Sequence, residues 1–181
     1  ILTLYPGSRK QEINKHLQLF IDASLIIKKT MPELQILLGL HPNIKLNNKI
    51  NKEITIIQDM PLKALEIATA AIIASGTATL QAAIMKTPCV VIYKMNSFSW
   101  WLTQKMVQVK FASMANIIAE ELVFPELLQN KATIKNIVST IMLIMNNQKY
   151  RQELLDKIVL IKNKVGPAGA SKKAAHYIMS I

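Results

Sequence analysis

Apolar residues in this chain fall into short blocks separated by stretches where they recur every three or four positions. That alternation predicts its elements. Residues 1–5 form a block of strand length. From about Glu12, the positions Ile13, Leu17, Phe20, Ile21 and Leu25 follow helical spacing until Met31-Pro32, where proline stops the helix. Residues 34–40 predict a second strand closed by His41-Pro42, and 54–57 a third. The intervening 43–52 is polar and weakly periodic, a loop or a poor helix. Residues 61–69 read as a helix with Pro61 in its first turn. The run 71–74 breaks at Ser75-Gly76-Thr77 and resumes with helical spacing, so it predicts strand, tight turn and helix. Thr87-Pro88 turns into a strand over 89–93. A helix is predicted over 97–108, carrying the bulky residues Phe98, Trp100, Trp101, Leu102 and Met106. Residues 111–116 read as a short connection, and helices follow at about 132–145, 148–165 and 171–181. Gly166-Pro167-Ala168-Gly169 separates the last two.

Strand and helix in alternation define an α/β fold, a doubly wound and mainly parallel sheet with right-handed crossovers. The 181 residues, 51% of them hydrophobic, suffice for one such domain with a helical appendage. We divide the chain into a Rossmann-like domain over 1–130 and a helical segment over 131–181, packing on that domain or on another. The chain opens at Ile1 on an apolar run, as a piece of a longer protein would.

Charge adds a second theme. The net charge is +11, and residues 131–181 contribute most of it, with nine basic residues against Glu153 and Asp156. This segment is the expected face for an anionic surface such as lipid head groups, and the bland alternative is a solvated lysine face. No aromatic-interleaved or Arg-rich pattern marks a nucleic-acid reader, so nucleic acid is not expected as a partner. Cys89 stands alone in an apolar strand and reads as a buried thiol. No eighteen-residue apolar run and no signal-peptide pattern occur in this stretch, which favours the cytoplasm. His16, His41 and His176 lack partners at metal-ligand spacing, so no metal site is expected.

Two of the strand-helix turns carry anion chemistry. At Ser75-Gly76-Thr77, free amides and the positive end of a helix dipole face outward, Gly76 permits close approach, and two hydroxyls add donors. At Pro6-Gly7-Ser8-Arg9, Ser8 caps the helix or holds an anion, and Arg9 brings a planar donor fork that reaches a phosphate. Arg9 is one of only two arginines among 22 basic residues. An exposed ion pair with Glu12 is the alternative for it. For the aromatic helix, core packing competes with an acyl- or lipid-facing patch.

Taken in order, Pro6-Gly7-Ser8-Arg9 with Glu12, Ser75-Gly76-Thr77-Ala78-Thr79-Leu80, Pro88 to Lys94, Ser113-Met114-Ala115-Asn116 and Pro125-Glu126-Leu127-Leu128-Gln129 resemble the lipid-A-disaccharide synthases. The resemblance covers nearly the whole chain. It implies the C-terminal, donor-binding half of a GT-B glycosyltransferase. The implied reaction is inverting transfer of 2,3-diacylglucosamine from its UDP derivative to 2,3-diacylglucosamine 1-phosphate, with release of UDP. No cofactor beyond the UDP-sugar substrate is implied. Arg9 and Asn116 become the expected catalytic residues. Gly7, Ser8, Ser75, Gly76, Thr77, Gln81, Tyr93 and Glu126 become the expected nucleotide-site residues.

The chain departs from the family pattern at two places. Gln81 stands where the family commonly has a ribose-binding Glu, a change on the scale of ~1 kcal/mol. Ala115 stands where the family has proline before the loop Asn. The acceptor site and general base belong, by the same resemblance, to an N-terminal half, without which this chain is expected to bind UDP and transfer nothing. Apolar surface left bare by that half predicts aggregation of the piece. Peripheral association with the cytoplasmic side of the inner membrane is expected, and exchange of C-terminal segments in the family leaves a homodimer open. The competing readings are an inactive remnant, another UDP-sugar GT-B enzyme or epimerase, and a basic lipid-binding module.

Overall fold

A computed structural model describes residues 1–46, 49–95, 110–166 and 169–180. Six parallel strands form one sheet: β1 (Leu2–Tyr5), β2 (Ile36–Gly39), β3 (Ile54–Ile57), β4 (Ala70–Ala74), β5 (Cys89–Tyr93) and β6 (Glu126–Leu128). Their order is β3-β2-β1-β4-β5-β6. The chain winds outward from β1 in one direction, returns to β4 beside it, and winds outward in the other. The point of reversal lies between β1 and β4, and the doubly wound expectation holds.

The seven helices among the described residues are α1 (Lys10–Thr30), α2 (Pro61–Glu66), α3 (Thr77–Ile84), α4 (Met114–Ala119), α5 (Ile134–Asn146), α6 (Gln148–Val165) and α7 (Ala170–Met179). Strand pleating sends Leu2, Leu4, Ile72, Val90 and Ile92 to one face, where they meet Phe20 and Ile27 of α1 and Ile137 and Ile141 of α5. The alternate residues Ala71, Ile73, Cys89 and Val91 face Ala82 and Ala83 of α3, Leu65 of α2 and Ile158 and Ile161 of α6. α1 and α3 therefore cover opposite faces, as crossovers of one hand demand when the chain winds out in both directions. Small alanines on α3 and β4 bring that helix close to the sheet. Each fully buried Leu or Ile stabilises the fold by about 1.5–3 kcal/mol.

Two buried threonines tie the end of α2 to the rest of the fold. Thr3 Oγ1 donates to Ala64 O and Thr87 Oγ1 to Leu65 O, so the last-turn carbonyls of the short α2 are satisfied by side chains. The segment after 131 divides in its packing. α5 and α6 lie on the two faces of the sheet, while residues 171–180 are exposed throughout.

Several elements differ from the sequence pattern. α1 begins at Lys10, earlier than expected, because Arg9 takes the N-cap position and Glu12 the capping N3 position. Ser8 is thus not the cap residue. β2 is shorter than its apolar run, and α2 ends at Glu66. Residues 114–119 are helical where a connection was expected, with Ser113 Oγ accepting from Asn116 N to start the turn. β6 carried no strand signal, since its three residues are all half-buried at the sheet edge. The aromatic helix expected over 97–108 lies outside the described residues.

Candidate nucleotide-binding site

Tyr5 of β1 pairs in register with Ile73 of β4, so the turns that follow these strands emerge side by side at the carboxyl edge of the sheet. This is the switch point, where open parallel sheets bind ligands. Pro6-Gly7-Ser8-Arg9 leads into α1 on one face and Ser75-Gly76-Thr77 into α3 on the other. The sequence-predicted pair is brought together.

Gly76 has φ 154° and ψ −159°, a region open essentially to glycine. Among the described residues, a Cβ there would meet nothing within 4 Å, so the backbone conformation and not a steric neighbour is what requires glycine. Thr77 opens α3 and is exposed. Its amide and that of Ala78 precede the first helical acceptor and point out of the helix. Ser75 was expected to offer its hydroxyl to a ligand. Instead the proton goes to Ala112 O at 2.6 Å, which fixes the 110–113 loop against the turn. Thr79 Oγ1 reinforces this join, donating to Gly76 O at 2.8 Å and accepting from Ala115 N at 3.4 Å.

Asn116, which is buried, and Glu126, which is half-buried, form one network behind that loop. Glu126 Oε2 accepts from Ala112 N at 2.8 Å, and its Oε1 accepts from Ser113 N at 2.9 Å. Asn116 Oδ1 accepts from Val123 N at 3.0 Å and Phe124 N at 2.8 Å, while Nδ2 donates to Phe124 O at 2.8 Å. Asn116 has no exposed surface and every polar atom engaged, so its place is behind the site. The sequence reading assigned it a donor- or acceptor-positioning role on a loop.

On the other turn, the Arg9 side chain is 84% exposed and its Nη1 lies 4.0 Å from Glu12 Oε1. Gly7 has φ 119° and is packed on Glu12, whose Oε2 would lie 2.5 Å from an added Cβ. His16, one turn along α1, is buried and stacks obliquely on Phe20. Its Nε2 accepts from Lys94 N at 3.2 Å, joining α1 to the end of β5. Burial holds its pKa below the ordinary value, with the Glu12 and Pro6 carbonyls and the Glu12 charge pulling upward and Lys15 downward. His16 was passed over in the sequence, where only metal-ligand spacing was considered.

Gln81 lies on the far side of α3 from the network. It lines a cavity of about 520 Å³ with Tyr5, His41, Asp59, Leu62 and Met85, beside the switch point. Gly39 makes room here, since a Cβ on it would come within 2.8 Å of the Tyr5 ring. Burial raises the Tyr5 hydroxyl pKa. Tyr93 is half-buried at the end of β5, on the pleat shared with Cys89 and Val91. Among the described residues, no group of three His, Cys, Asp or Glu side chains is placed to hold a metal ion.

The sheet order and the glycine turn at the switch point define a Rossmann-type α/β domain, the kind from which GT-B proteins are built. Solved structures agree on the fold. The calicheamicin glycosyltransferase CalG4 superposes with TM-score 0.62 at 16% identity, covering 99% of this chain and 42% of that one. The UDP-GlcNAc 2-epimerase from Neisseria meningitidis, bound to UDP-GlcNAc, does so with TM-score 0.62 at 15% identity over 99% and 45%. The chain belongs to the lipid-A-disaccharide synthetase family, whose model matches residues 1–178. It is 35% identical to the lipid-A-disaccharide synthase of Coxiella burnetii (strain CbuG_Q212) over 100% of this chain and 49% of that protein. The Nitrosococcus oceani lipid-A-disaccharide synthase is also 35% identical, over 99% of this chain and 48% of its own length. The chain thus spans about half the length of the curated relatives it matches.

Proposed function

We propose that this chain is the donor half of a lipid-A-disaccharide synthase, holding UDP-2,3-diacylglucosamine while an N-terminal half presents 2,3-diacylglucosamine 1-phosphate. The observation that carries the reading is the β1–β4 pairing, which sets the Arg9 turn beside the Gly76 turn. The diphosphate rests over Gly76 on the amides of Thr77 and Ala78, with the Thr77 hydroxyl and the Arg9 guanidinium at its flanks. Uridine enters the cavity beside Tyr5, and Gln81 meets the ribose hydroxyls through its amide.

Negative charge grows on UDP as the glycosidic bond breaks and the acceptor oxygen attacks from the opposite face. Fixed donors and a guanidinium stabilise that charge more in the transition state than in the ground state, without a metal. The general base belongs to the other half. Asn116 and Glu126 act one layer back, holding the 110–113 loop against Ser75. Peripheral association of the whole protein with the cytoplasmic face of the inner membrane is part of the same proposal. Tyr177, Ile178 and Met179, exposed on α7 next to Lys172 and Lys173, have the composition of a helix that rests on lipid or on the other half.

Calorimetric titration with UDP, on the chain and on Arg9→Ala at low and physiological salt, tests the donor reading. Binding that weakens about tenfold or more in the variant, the scale of a charge-assisted hydrogen bond, is the expected result. A folded wild-type chain that takes up no UDP overturns it.

A further inference from the structure

The two turns at the switch point present different chemistry, and Glu12 is the cause. Its Oε2 accepts from Ser8 N at 3.1 Å and from Arg9 N at 3.3 Å. Its Oε1 lies 4.0 Å from Arg9 Nη1, and its side chain packs on Gly7. Amides at the start of a helix are the groups an incoming anion would take. At this turn they already hold a carboxylate, whereas no described residue comes within 4 Å of a Cβ built on Gly76.

We propose that Glu12 is a positioning residue that keeps the Ser8 and Arg9 amides away from the diphosphate, so that the β1–α1 turn offers the ligand only side chains. The inference rests on the donor-site reading above. Glu12 stays on the two amides when nucleotide binds and releases only the guanidinium, which turns to the diphosphate. Its negative charge, one short turn from the ligand, also limits affinity for UDP and favours departure of the product.

Glu12→Gln separates the two effects, because the amide oxygen still accepts from Ser8 and Arg9 while the charge is gone. UDP is expected to bind the variant about three- to tenfold more tightly at low salt, the scale of one exposed charge pair a few ångströms apart. The gain should appear mainly as slower dissociation in stopped-flow displacement, and should shrink as salt is raised. In the wild-type chain, UDP should shift the amide resonances of Thr77 and Ala78 and leave those of Ser8 and Arg9 nearly unmoved.

Equal affinity of the two chains at every salt concentration overturns the affinity-limiting role. Ser8 and Arg9 resonances that shift as far as those of Thr77 overturn the withheld amides, and that measurement needs no variant to fold. In either case UDP binding by wild type leaves the donor-site reading standing. Absence of UDP binding in both folded chains removes that reading and this inference together.

Discussion

Asn116 Nδ2 donates to Glu126 Oε1 at 2.8 Å, joining the first turn of α4 to the edge strand β6. The carboxylate is shared with two loop amides, and the Asn116 oxygen with two more, so one side-chain pair organises five backbone groups around residues 112–124. The loop it holds accepts the Ser75 hydroxyl proton.

Replacing Asn116 by Ala leaves the Val123 and Phe124 amides without their acceptor in a buried place. A loss of about 3 kcal/mol in unfolding free energy is expected, since each unsatisfied buried group costs about 1–3 kcal/mol. Urea denaturation of the two chains measures it. An unchanged midpoint would show that these amides find other partners.

Gly76→Ala meets no steric neighbour among the described residues, yet the conformation it must adopt is foreign to residues with a Cβ. The expected destabilisation is about 1–3 kcal/mol, accompanied by loss of UDP binding as the turn relaxes. Stability in urea and UDP calorimetry on the same preparation check the two halves of this prediction.

His16 makes stability depend on pH. Its pKa in the folded chain is below the 6.5 of an unperturbed imidazole, mainly through burial. The unfolded chain therefore binds the proton more readily. The stabilisation is fully present above about pH 6.5 and is lost as pH falls through the folded value. The groups facing the ring are Glu12 and Lys15 on α1, the Pro6 carbonyl, the Lys94 amide and the Phe20 ring. Urea midpoints between pH 8 and 5, on the chain and on His16→Leu, should show a decline in the first that is shallower in the second. Parallel curves would remove His16 as the source.

Cys89 is fully buried in β5, and burial pushes its thiol well above the ordinary range. An aromatic disulfide reagent at pH 8 should react at the rate of unfolding and in a single phase. Rapid labelling of the folded chain would show that the strand opens locally.

The sheet was legible because each central strand is a run of apolar residues bounded by turn residues, as strands buried on both faces must be. The turn at Ser75-Gly76-Thr77 was legible as a turn because its glycine separates an apolar run from one of helical spacing. What escaped was short or nonlocal. β6 is three residues long and gains its identity by pairing with Val91 to Tyr93. The helical turn around Asn116 is six residues, too short for periodicity to register. The commitments of Ser75 and Glu12 depend on distances, and spacing cannot tell a hydroxyl that awaits a ligand from one that already has an acceptor.

The pairing of Leu2 with Ala70 has a consequence for folding. Every other neighbouring pair in the sheet joins strands that follow one another in the chain, whereas β1 and β4 close a loop containing two further strands. Such nonlocal contacts form slowly, because the entropy of closing the loop is lost before the contacts are gained. The proposed nucleotide site therefore depends on the strand pairing of widest sequence separation in the sheet, and a chain that has built both turns without that pairing does not yet have it.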